Sequence, residues 1–146
     1  MKLGFLLLSD HSEALNGKIY AMGAGWNVLR FPQLPADHAF SIALGIDVPW
    51  DETNKRHALT LRVDDPDGAR LGEPFQLEFE TGRPPGTMTG QDQRITLSLG
   101  ARMTFTTPGP HAVVVGVGGK ELERSRFYVV RLPRDTLAGR GFRPAT

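Results

Sequence analysis

Apolar residues recur at every second position along most of this chain, the periodicity of strands whose alternate side chains enter a core. The cleanest run sets Phe40, Ile42, Leu44, Ile46 and Val48 on one side against Ala39, Ser41, Ala43, Gly45 and Asp47 on the other, which predicts a half-buried strand. Leu59, Leu61 and Val63 repeat the pattern, as do Phe75, Leu77 and Phe79, alternating with Gln76, Glu78 and Glu80. Further strands are expected over Ile95 to Phe105, at Val113, Val115 and Val117, and over Phe127 to Leu132. Two stretches depart from simple alternation. Residues 3–8 are apolar on both faces, with Leu3, Phe5 and Leu7 on one and Leu6 and Leu8 on the other. An antiparallel sheet usually leaves one face to water, so a loop, the C-terminal tail or a second copy of the chain is expected to cover the second face. Residues 17–30 place Tyr20, Met22, Ala24, Trp26 and Val28 opposite Ile19, Ala21, Gly23, Gly25 and Asn27. Glycine inside a strand marks a bend or a close approach. This stretch is expected to be a long central strand bending near Gly23 to Gly25, with Trp26 plugging the bend.

Turn chemistry separates these runs. Asn16-Gly17 and Gly118-Gly119 are hairpin dipeptides, and Asp65-Pro66-Asp67-Gly68 is a turn by composition. Prolines at 32 and 35 break the sheet after the bent strand. Residues 81–93 carry Gly82, Pro84, Pro85, Gly86 and Gly90, with Met88 the sole large aliphatic, and are expected to form a long mobile loop. Alternation stops at Pro133. About eight strands and no convincing helix predict an all-β, antiparallel two-sheet β-sandwich over residues 1–132. Residues 133–146, with Arg134, Arg140 and Arg143 against Asp135, form a basic C-terminal tail.

A chain of 146 residues fits one domain with a core that needs no staples. Seventeen basic against sixteen acidic side chains give no field for nucleic acid or an anionic membrane surface. With no cysteine, disulfides and thiolate metal sites are excluded. The opening residues imitate a signal peptide, yet Ser9-Asp10-His11 follows the apolar run without a small-residue cleavage pattern. No apolar run is long enough to cross a bilayer, and a cytoplasmic location is expected.

Reactive chemistry finds little support. His11, His38, His57 and His111 include no pair one helical turn apart, and adjacent strand residues face opposite ways, so Asp10 does not readily orient His11. Asp64, Asp65, Asp67 and Gly68 approach a calcium loop, but Val63 and Pro74 stand where ligands belong. Gly23-Ala24-Gly25 lacks the third glycine of a dinucleotide fingerprint, and no serine lies in a nucleophile elbow. No catalytic residue, metal ligand or cofactor is assigned. Trp26 and Trp50, the latter beside Asp51, Thr53 and Asn54, either close the ends of the core or stand ready as a binding platform. Arg56 is the natural mate for Asp51 or Glu52.

The closing segment, from Pro108-Gly109-Pro110-His111 through Gly118-Gly119 to Phe127-Tyr128-Val129, resembles the final hairpin of immunoglobulin-like accessory domains. Ser9-Asp10-His11, Asn16-Gly17-Lys18, Gly23-Ala24-Gly25-Trp26 and the run Val48 to Asn54 together resemble a family of small uncharacterised bacterial proteins. That resemblance implies a bacterial cytosolic origin and supplies no catalytic residue. The expected function is a non-catalytic binding or assembly module, self-associating or held by a protein partner through Leu3, Phe5, Leu6, Leu7 and Leu8. The alternatives are a small-molecule or carbohydrate binder using Trp50, Trp26 and the 81–93 loop, and a metal-dependent hydrolase using surface histidines such as His38, His57 and His111.

Overall fold

A computed structural model describes residues 1–134, so all but the first two residues of the expected basic tail lie outside it. The described chain is all-β, with nine strands in two sheets. Four strands form the first sheet in the order β2-β1-β4-β7: β1 (Lys2–Leu15), β2 (Lys18–Ala24), β4 (Ala36–Val48) and β7 (Gln93–Phe105). Five form the second in the order β3-β9-β8-β5-β6: β3 (Val28–Phe31), β5 (His57–Asp64), β6 (Arg70–Phe79), β8 (Gly109–Val117) and β9 (Lys120–Arg131). Every pair is antiparallel except β3 on β9. That one parallel pair corrects the wholly antiparallel expectation. It arises because β3 joins the second sheet beside the last strand, with five strands of chain between them to supply the crossover.

The sheets meet over the side chains the alternation selects. Phe40, Ile42, Leu44, Ile46 and Val48 are all but fully enclosed, and so are Leu59, Val63, Val113, Val115 and Phe127 across from them. At about 1.5–3 kcal/mol for each large apolar side chain enclosed, this row is the main force holding the sheets together. Phe31, Phe40, Phe105 and Phe127 build an aromatic knot in which Phe105 stacks on Phe31 at 6.0 Å and meets Phe127 edge-on at 6.1 Å.

Residues 17–30 are not one central strand. β2 is the edge of the first sheet, and β3 is the edge of the second. The chain crosses between sheets at Gly25-Trp26-Asn27, where Gly25 takes φ 94° and its N–H reaches Leu8 O at 3.1 Å. Trp26 does plug this crossing, meeting Phe40 edge-on at 5.9 Å. The alternation of Tyr20 and Met22 imitates a core face, but both side chains are exposed.

Residues 10–15 continue β1 to Leu15, and the turn is confined to Asn16 (φ 52°) and Gly17 (φ 73°). The register of β1 on β4 shifts between Leu3 and Phe5, so that Leu3 pairs with Ile46 and Phe5 with Gly45. Gly4 is therefore the extra residue of a bulge. Beyond the bulge the faces exchange: Leu3, Leu6 and Leu8 turn to the core side, opposite Ile46, Leu44 and Ile42, while Phe5 and Leu7 turn outward, opposite Gly45 and Ala43.

The outward face of β4 was expected to be wet, yet Ser41, Ala43 and Asp47 are buried. The chain supplies the cover itself. Phe5 lies so close over Gly45 that no Cβ would fit there, and the Arg94 guanidinium sits 5.6 Å from the Phe5 ring while gripping Asp47 at 2.7 and 3.0 Å. Further along, Ser12 Oγ lies 2.7 Å from Ser98 Oγ, and Ser98 donates to Ser12 O at 2.8 Å. Ser98 shares a row with Ala43 and Leu7. In a flat sheet Ser12, five residues further on, would be about 16 Å down the strand. The second half of β1 must therefore curl back, carrying β2 with it, over the outward face of β4 and β7.

Candidate functional site

The curled hairpin has two faces. Ser12, Ala14, Ile19 and Ala21 share the side that meets Ser98, with Ser12 paired to Ala21 and Ala14 to Ile19. His11, Glu13, Leu15, Tyr20 and Met22 share the side turned to solvent. Three of the large apolar side chains exposed among the described residues sit on it: Leu15 at 55%, Tyr20 at 56% and Met22 at 71%.

The outer edge of β2 is also weakly defended. Natural sheets blunt free edges with charges, prolines, bulges or short strands. β6 carries Glu73, Pro74 and Glu78 and a register shift against β5; β7 carries Arg94 and Arg102; β3 is four residues long. From Ile19 to Ala24, β2 carries no charge and no proline. The sequence pattern gave Tyr20 and Met22 to the core. What could have placed them outside is their hairpin partner, since the residues opposite, Asp10 to Glu13, are polar throughout.

The five residues expected at an interface separate. Leu8 is buried, Leu3 and Leu6 pack partly buried against the core, Phe5 lies under Arg94, and Leu7 is exposed at 36%. The tryptophan platform separates as well. Trp50 sits in a single 3-10 turn (Trp50–Glu52), with the Arg83 guanidinium 3.6 Å over its ring. Arg83 donates from Nη2 to Trp50 O and from Nε to Thr53 Oγ1, each at 2.7 Å, and Thr53 Oγ1 donates to Trp50 O at 2.7 Å. Asn54 (φ 60°) donates its N–H to Thr81 O at 2.8 Å. Thr53 is buried and Asp51 exposed. Arg83, not Arg56, is thus the cation that orders this corner, tying it to the start of the 81–93 loop. Trp26 belongs to the crossing between sheets, and its Nε1–H is buried without a partner.

The histidines are dispersed. His111 is buried against Phe105 and Phe127 and donates from Nδ1 to Gly109 O at 3.0 Å, a core residue where a surface one was expected. His38 stacks on Phe40 and meets Phe31 edge-on, His57 donates to Glu52 O at 2.8 Å, and His11 pairs with Glu13 at 3.3 Å. Among the described residues no three His, Asp or Glu side chains converge as a metal site would need. Asp47 is the carboxylate moved most plainly from its ordinary range, held low first by the hydrogen bonds from Arg94 and then by the charges of Arg94 and Lys2, against the opposing effect of burial. A cleft of about 330 Å³ opens between β6 and β7, lined by Ile42, Leu61, Phe75, Leu99 and Met103 with Arg62, Glu73 and Arg102 at its polar side. No helix of the described chain is long and apolar enough to cross a membrane.

Fold and surface define a two-sheet, sandwich-like all-β protein that exposes Leu15, Tyr20 and Met22 together on one hairpin. The chain belongs to DUF6941, a family of unknown function whose model matches residues 4–130, in line with the resemblance seen in its sequence. No curated protein matches it significantly. Among solved structures it is similar to the alkylpurine DNA glycosylase AlkC of Pseudomonas fluorescens bound to DNA containing an abasic site analog, at 13% identity and a TM-score of 0.40. It is also similar to the β-glucosidase of Listeria innocua in complex with glucose, at 12% identity and a TM-score of 0.36. The matches cover 86% and 72% of this chain but only 30% and 15% of those proteins.

Proposed function

We propose that this protein is a non-catalytic contact module that recruits another polypeptide by adding a strand to the open edge of β2. The observation that carries this reading is the uncharged, solvent-facing edge from Ile19 to Ala24, flanked by exposed Leu15, Tyr20 and Met22. Backbone N–H and C=O groups on such an edge supply affinity, and alternate side chains supply selectivity. A bacterial cytoplasmic setting and an immunoglobulin-like kinship of the β8–β9 hairpin belong to the same proposal, supported by the resemblances in the sequence. The proposal moves the contact surface from the first strand's Leu3 to Leu8 run to the hairpin, because the bulge at Gly4 and the cover by Arg94 leave that run little free apolar area.

A photo-crosslinking residue placed at Tyr20 in the cells that make the protein tests the reading, with the same residue at Glu78 on the β6 edge as control. Adducts at 20 and none at 78 are expected. Absence of any adduct at 20 sinks the reading. A second reading, a small-molecule binder, is favoured by the cleft between β6 and β7, whose volume is at the lower end of the roughly 300–1,000 Å³ of ligand sites. Trp50 has one face already taken by Arg83, so an apolar ligand in the cleft suits the geometry better than a sugar stacked on the indole. A ligand screen by thermal shift, repeated with Met103→Lys to fill the cleft, checks this: hits that survive the substitution discount it.

A further inference from the structure

The contact reading leaves the partner open, and the geometry of β2 narrows it. Asn16 and Gly17 both have positive φ, as a two-residue type I′ hairpin turn requires, and Leu15 and Lys18 then form the hydrogen-bonded pair that closes it. Antiparallel ladders alternate. The N–H and C=O groups of Lys18, Tyr20 and Met22 therefore point to β1, and those of Ile19 and Ala21 point outward. Gly23 takes φ 64°, which ends the extended stretch at Met22. The usable edge is residues 18–22, and its centre is Tyr20.

A stretch with one central residue suits a two-fold axis, because the same patch must serve both partners. Antiparallel pairing of two such edges about Tyr20 puts Ile19 opposite Ala21 of the other copy, both ways round, so that all the outward N–H and C=O groups of these two residues are joined. Tyr20 faces its own copy across the close, non-hydrogen-bonded spacing where aromatic pairs pack well. Lys18 falls opposite Met22, so its ammonium meets a thioether and no like charge. Among the described residues the other sheet edges suit this less: β6 carries Arg70, Glu73, Pro74 and Glu78, β3 is four residues long and includes Arg30, and β7 carries Arg94 and Arg102.

We infer that the occupant of the β2 edge is a second copy of this chain, added antiparallel about a two-fold axis through Tyr20 to join the two four-stranded sheets into one of eight. The inference rests on the contact reading, and its test is made on purified protein so that the two can fail separately. Sedimentation velocity from micromolar to millimolar concentration is expected to show a monomer passing to a dimer. Met22→Lys sets two lysines opposite each other twice and is expected to abolish the dimer; adding Lys18→Glu to that variant turns both repulsions into ion pairs and is expected to restore it. Ala21→Pro removes an outward N–H that β1 does not use, leaves the fold's own ladder intact and is expected to weaken the dimer. The natural chain has no cysteine, so Tyr20→Cys is a clean probe. Two copies at 20 come within the roughly 4.4–6.8 Å Cα spacing of a disulfide, whereas Glu13→Cys, opposite Tyr20 on β1, would sit about 14 Å from its copy, three strand spacings away. Rapid oxidation to a covalent dimer at 20 and not at 13 supports the inference. A monomer at every concentration, a dimer indifferent to Met22→Lys, or equal oxidation at both sites overturns it. If the photo-crosslinked adduct at 20 holds a different chain while the purified protein stays monomeric, the second copy is overturned and the contact reading stands.

Discussion

Gly45→Ala tests the internal cover of the first sheet, with Gly100→Ala as its matched control. Both glycines lie in strands of that sheet, and neither has positive φ. An alanine in a strand gains about 0.5–1 kcal/mol over glycine by restricting the unfolded chain. At Gly100, which is exposed with nothing within 4 Å of an added Cβ, that gain is expected in full. At Gly45 the new methyl would run into the Phe5 ring, which is itself pinned beneath an Arg94 anchored on Asp47. Overpacking of this kind costs about 1–3 kcal/mol, so the sign reverses to a net loss of about 1–2 kcal/mol, roughly 3–7 °C in Tm for a chain of this size. Urea unfolding followed by fluorescence reads both changes, since Trp26 and Trp50 report from opposite parts of the fold. Adding Phe5→Leu to the alanine variant shortens the side chain and is expected to recover part of the loss. If Gly45→Ala stabilises the protein as much as Gly100→Ala does, Phe5 does not lie over Gly45 and the account of how β4 is buried fails.

Trp26→Phe removes an indole N–H that is buried without a partner, which offsets the lost ring area by about 1–3 kcal/mol; stability in chemical denaturation is expected to stay level or rise, and a fall beyond about 2 kcal/mol would mean the N–H is satisfied. Asp47→Asn addresses pH. Because Arg94 holds the Asp47 carboxyl below its ordinary 3.8, the ionised form stabilises the fold fully above that value and less as pH falls through the lower folded one. The wild type should therefore exceed Asp47→Asn in Tm near neutrality, and the gap should close in acid; a gap that is constant with pH contradicts the ion pair. Arg83→Ala uncovers the Trp50 ring, so a shift in tryptophan emission is expected with a stability loss of only about 0.5–1 kcal/mol, as for an exposed cation over an aromatic face; unchanged emission would place Arg83 elsewhere.

The core was legible because period-two alternation marks the side chains that enter it, and Phe40 to Val48, Leu59 to Val63 and Val113 to Val117 do so, although in β4 and β8 the opposite face is buried as well. Turns were legible where backbone chemistry is local: Asn16-Gly17 and Gly118-Gly119 both turn with positive φ. Strand order was not, because nothing in Tyr20 or Met22 records whether a second strand lies beyond them. The same limit hid the corner at Trp50, whose partner Arg83 is thirty-three residues away in a stretch of turn residues without periodicity.

The hardest feature to read was the doubly apolar first strand, and it shows why an apolar face need not imply a partner. A single bulge at Gly4 returns Leu3 to the core side with Leu6 and Leu8, so the outward excess falls to Phe5 and Leu7. Opposite those two the chain carries its smallest residues, Gly45 and Ala43, and a large ring laid over glycine is enclosed by its own sheet without any other molecule. Arg94 then closes the ring from above because Asp47 is in the same row of the ladder. What remains unburied is not that strand but the arm it grows into: the curl that lets Ser12 meet Ser98 carries β2 along with it, and among the described residues no strand pairs with the outer edge of β2. Covering one apolar surface internally has thus left a strand edge open, and the case for a protein contact passes from the side chains at the start of β1 to the backbone of β2.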